Sequence, residues 1–169
     1  MQPPLLPAET LARVLRLARL DGTVILILSG TFTLATAAGG NRLETMIGLL
    51  VAGAGAFELH GAGLLKAGEI RGIRWLVASQ FYLLAAVMRY VAWRLLSYDP
   101  AIINLILTDT VRQSYVDAGL TPGQIDRIVE WSYYVSYGLI GLMTFFYQGG
   151  MAIYYLRRRS AVAQALAEA

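Results

Sequence analysis

Cysteine is absent from this chain, histidine occurs once, and only 15% of its 169 residues are charged. The first absence excludes a disulfide framework and any thiolate metal site, and leaves the redox compartment unreadable. The second leaves His60 without another intramembrane histidine to complete a pair, so one chain offers a single histidine ligand to a haem or chlorophyll. The third sets the class. A soluble domain carries about 25% charged residues, whereas here 57% of residues are apolar and the mean hydropathy is +0.55. There is also no phosphate-cradling glycine loop, no His-x-x-x-His pair and no nucleophile elbow. Nothing nominates an enzyme, no cofactor is expected, and no nucleic-acid partner is expected.

What is present is a set of long apolar runs. A bilayer core about 30 Å thick needs about 20 mostly apolar helical residues to cross it. Four stretches qualify: 22–40, 43–65, 73–96 and 131–156. The first follows several arginines and contains Ala35-Thr36-Ala37, the small-x-small form of a signal cleavage site. It is long enough to span, and is read as a retained first helix. The fold class expected is therefore all-α, a polytopic membrane protein of four transmembrane helices with a helical extracytoplasmic loop.

Basic residues orient the spans. Arg13, Arg16 and Arg19 precede the first, Lys66, Arg71 and Arg74 lie between the second and third, and Arg157, Arg158 and Arg159 follow the fourth. The opposite side carries Arg42, Arg112 and Arg127, with Arg94 near a span end. This places both termini in the cytoplasm and the chain in a cell (inner) membrane. Residues 8–20 form an amphipathic pattern, with Arg13, Arg16, Arg19 and Glu9 on one arc and Leu11, Val14, Leu15 and Leu17 on the other. Two readings fit it: an interfacial helix on anionic lipids of the inner leaflet, or an ordinary basic flank.

The segment 97–130 is the one large external stretch. Asp99-Pro100 breaks the third span, and 101–117 reads as a short amphipathic helix. Thr121-Pro122-Gly123-Gln124 reads as a new helix start, with Thr121 as cap and Gln124 three residues on. Asp126 and Glu130, one turn apart, are a candidate external cation site or a solvated acidic face.

Ionisable groups within the apolar runs are the candidates for function, because each is costly in hydrocarbon. These are Glu58, His60 and Arg89. Counting inward from the flanks, Glu58, Gln80, Gln148 and Ser29 fall at about 9–13 Å depth, one from each span. Such a layer could satisfy a buried carboxyl, coordinate a dehydrated cation or relay a proton; equally, it could be a polar clasp fixing helix register. His60 lies about 200° around its helix from Glu58, so it is a separate candidate for a ligand or interface. Arg89 is placed to stack on Trp93 and to reach Tyr133, Tyr134 and Tyr137, as an outer gate or charge filter. Gln80 and Arg89 lie on opposite sides of the third span, which favours a homo-oligomer. Small residues in the second span, including Gly48, Ala52, Ala56, Gly55 and Gly61, suit close helix packing.

The function expected is a small integral membrane protein acting as a homo-oligomeric ion channel or small-solute transporter. The alternatives are an accessory or scaffolding subunit of a membrane complex and, third, a membrane cofactor protein or enzyme using His60.

Overall fold

The computed structural model describes residues 6–99 and 107–168. Regular structure among the described residues is helical throughout: α1 (Pro7–Ala38), α2 (Arg42–Lys66), α3 (Gly72–Leu96), α4 (Asp109–Asp117) and α5 (Pro122–Ala167). α1, α2, α3 and α5 are each long and apolar enough to cross a membrane.

Local signals explain the boundaries. Pro7 opens α1, where its missing N–H costs nothing. Gly40, at φ +72°, lets the chain turn after α1, a conformation unfavourable for residues with a Cβ. Asn41 then caps α2, its Oδ1 accepting the Glu44 N–H at 3.2 Å. Gln124 reaches back to accept the Thr121 N–H at 2.8 Å, the reciprocal half of a capping arrangement at the start of α5.

Two boundaries differ from the sequence reading. Residues 8–20 are not a separate element: α1 runs unbroken through them and the apolar run beyond, 32 residues in all. Nothing in 20–22 breaks a helix, and Thr10, Val14 and Ala18 form a buried stripe rather than a free apolar arc. That stripe belongs to a core with Tyr155 and Val162 of α5, while Arg13, Arg16 and Arg19 stay exposed. The fourth span likewise belongs to a longer helix, which opens at Pro122 as the start signal there indicates but runs on past Leu156 to Ala167. At about 1.5 Å per residue, α5 is about 69 Å long, more than twice a bilayer core. Part of the helix expected over 101–117 falls on residues 100–106, outside the described residues; the helix begins at Asp109.

The described residues form two compact units: one from Met1–Val87 with Thr144–Ala169, the other from Met88–Met143. In the first, glycines set the spacing of the helices. A Cβ on Gly55 of α2 would meet the Gly22 carbonyl of α1 at 2.8 Å, and one on Gly61 would meet the Gly72 carbonyl of α3 at 3.0 Å. Backbones approach this closely only where side chains are missing. Below these contacts lies an apolar core of Val14, Ala18, Leu65, Ile73, Leu76, Met151 and Val162. The outward faces are apolar too: Leu28, Leu34 and Phe146 are 66%, 74% and 67% exposed. Large hydrophobic side chains outside and acids and amides inside reverse the usual arrangement of a protein in water, and are the features of a helical membrane protein. The second unit has a smaller core of Leu107 and Ile125, packed by Tyr98, Leu120 and Val129.

Candidate functional site

The glycine contacts place one acid at the centre of the first unit. Gly55 brings α2 against α1, Gly61 brings it against α3, and Glu58 lies between them. Its side chain has no exposure. Glu58 Oε1 accepts two hydrogen bonds, from Gln80 Nε2 of α3 at 3.0 Å and from the Tyr155 hydroxyl of α5 at 2.7 Å. From α1, the packing of Gly22 against Gly55 and Leu59 brings Asp21 beside Glu58. Asp21 Oδ1 also accepts from the Tyr147 hydroxyl at 2.9 Å, and only 7% of Asp21 is exposed. Four helices thus converge on one polar cluster.

The cluster is incompletely satisfied. Glu58 Oε2, Asp21 Oδ2, Gln80 Oε1 and Gln148 Oε1 are buried oxygens without a hydrogen-bond partner. All four accept hydrogen bonds, and buried acceptors are normally paired. Neither acid has an ion-pair partner among the described residues. The cluster therefore presents oxygen lone pairs and no compensating positive charge, an arrangement suited to a proton or a small cation.

Of the four groups expected in one layer, Glu58 and Gln80 meet directly. Gln148 is buried on the same face of α5 as Tyr155, seven residues earlier. Ser29 is buried but does not join them: its hydroxyl donates to the Ile25 carbonyl of its own helix. The packing of Gly22 against Gly55 and Leu59 sets Asp21, not Ser29, opposite Glu58. Measuring depth from Asp21 as a flanking charge misplaces Ser29 by about 12 Å, since it lies eight residues further along. Asp21, Tyr147 and Tyr155 escape the sequence reading. A signal exists for each. Thr10, Val14, Ala18 and Asp21 are spaced 4, 4 and 3 apart on one helical face, and Tyr155 follows Gln148 by two turns.

The other candidates lie apart from this cluster. His60 is exposed and stands edge-on to Trp75, ring centres 4.9 Å apart. Arg89 is exposed, and no described residue bonds or stacks with it. The aromatic role expected of Arg89 falls instead to Arg94, in the second unit. The Arg94 guanidinium carbon lies 5.2 Å from the Tyr137 ring centre, 5.7 Å from Tyr133 and 5.9 Å from Trp93. Its Nε donates to the Tyr137 hydroxyl at 2.9 Å, and its carbonyl accepts from Tyr133 at 2.8 Å. The physical reason is register: Arg94 sits five residues, or about 140° around the helix, beyond Arg89. Asp126 pairs with Arg112 of α4 at 3.6 Å, so the acidic pair Asp126 and Glu130 is partly neutralised within the protein. Among the described residues no group of three or more His, Cys, Asp or Glu could hold a metal.

No known protein family matches the chain, and no curated protein or solved structure matches it either.

Proposed function

We propose that this protein is a multi-pass membrane transporter or channel for a small ion or solute, with the Asp21–Glu58 cluster as its intramembrane site. One observation carries the reading: two neighbouring acids are buried among apolar helices with unpaired oxygens and no basic partner among the described residues. A structural role alone gives such groups no reason to persist, since apolar side chains pack there without the desolvation cost. Gln80, Gln148 and Tyr155 complete the site. The basic flanks favour cytoplasmic termini and an inner-membrane location, and exposed Arg13, Arg16 and Arg19 suit anionic lipids.

Self-association is part of this proposal. Arg89 is exposed on a helix apolar enough to span, seven residues from its end, and lacks a partner among the described residues. A neighbouring copy would supply one. The competing reading is an accessory subunit in which Glu58, Gln80 and Tyr155 act as a clasp. Their hydrogen bonds favour it to that extent.

Flux measurements on purified protein in liposomes separate the two. The proposal expects flux that Glu58→Gln abolishes. Unaltered flux in Glu58→Gln and Arg89→Ala would dismiss both residues as working parts. Oligomer mass in detergent tests the assembly; a strict monomer would remove the neighbour assigned to Arg89. A visible absorption band from the pure protein would instead favour a cofactor role for His60.

A further inference from the structure

We propose that Asp21 and Glu58 share one proton, held between Glu58 Oε2 and Asp21 Oδ2, and that this proton is the ion the site takes. The second half rests on the transport reading above; the first does not.

The bonding pattern is specific. Each acid has one satisfied and one unsatisfied oxygen. Tyr155 and Gln80 donate to Glu58 Oε1, and Tyr147 donates to Asp21 Oδ1. The other oxygen of each is buried and unpaired, on two acids that the packing of Gly22 against Gly55 and Leu59 brings side by side. A single proton on either acid becomes a donor to the other and satisfies both atoms at once.

Charge argues the same way. Two carboxylates in contact, away from water, repel each other and lose their hydration. Guanidinium or ammonium groups would relieve this, but among the described residues no ion pair reaches either acid, and the groups that bond the pair are Tyr147 and Tyr155 of α5 and neutral Gln80 of α3. Removing one negative charge by protonation is the remedy the surroundings leave. A hard metal ion fits less well. Calcium and magnesium take six or more oxygens, usually with water among them, and no described set of three acids or histidines is present.

Infrared difference spectroscopy on the purified full-length protein, titrated from acid to alkaline pH, tests the pair directly. Wild type is expected to show the carbonyl band of a protonated carboxyl at neutral pH. Glu58→Gln and Asp21→Asn should each remove it, because the amide N–H2 that replaces one oxygen does the work of the shared proton. Both substitutions preserve shape; circular dichroism checks the fold, and the wild-type band stands as a result independent of either variant. Absence of the band in wild type at neutral pH overturns the proposal. Proton flux in liposomes, followed with an entrapped pH dye under a pH gradient and again under a sodium gradient, is the second arm. Flux driven by pH and lost in both variants supports the proton as the ion. Flux driven by sodium alone overturns that assignment but leaves transport intact. A band with no flux under either gradient upholds the shared proton and removes the transport reading.

Discussion

The two units bury charge in opposite ways. In the first, two acids meet at the junction of four helices and are surrounded by neutral donors that leave two carboxyl oxygens unpaired. In the second, one guanidinium is laid across aromatic rings, with its Nε and its own carbonyl both tied to tyrosines. Arg94 is thereby held as a permanent cation in a setting that suits one. The acids are held in a setting that suits them only if something positive joins them. The difference is between a charge whose partners are in place and two whose carboxyl oxygens are left unpaired.

Substitutions sharpen this contrast, beginning with the largest effect. Gly55→Leu forces a side chain into the Gly22 carbonyl and the Leu26 backbone. It should part α1 from α2 and cost about 3 kcal/mol or more, read by unfolding in mild detergent. Glu58→Ala leaves Gln80 and Tyr155 without their acceptor and opens a cavity, for a loss of about 2–4 kcal/mol by the same measurement. Arg94→Ala removes the stacked guanidinium from a half-buried position and should cost about 1–2 kcal/mol, with no loss of flux. If Arg94→Ala were to abolish flux as Glu58→Gln should, the division of labour between the units would fail. Tyr155→Phe deletes one of two donors to Glu58 Oε1 and should cost only about 1 kcal/mol, within the range of interhelical hydrogen bonds.

Helix number and class are legible in the sequence because each apolar run exceeds the length a bilayer demands, and punctuation such as Gly39-Gly40-Asn41 and Thr121-Pro122 marks the ends. The pairing of Glu58 with Gln80 is within reach of depth counting, since both lie on helices joined by a short turn that fixes their relative height. Depth counting fails for α1. No short turn between helices anchors its start, and counting from Asp21 as a flanking charge sets the wrong level. Contacts such as Gly22–Gly55 and Gly48–Thr33 set the α1–α2 register, and contacts between helices are not written in either helix alone. Arg89 and Arg94 teach the same lesson. Both lie on α3, and which one reaches Tyr133 and Tyr137 depends on a rotation that composition does not record.

The most direct measurement is transport by Glu58→Gln protein shown to be folded. The glutamine keeps an oxygen for Gln80 and Tyr155 to donate to, and offers Asp21 Oδ2 an N–H2 in place of a shared proton. Stability should therefore match or exceed that of wild type, while transport falls to the level of empty liposomes. Wild-type rates from that folded variant would contradict the account, and would leave the buried acids as a clasp.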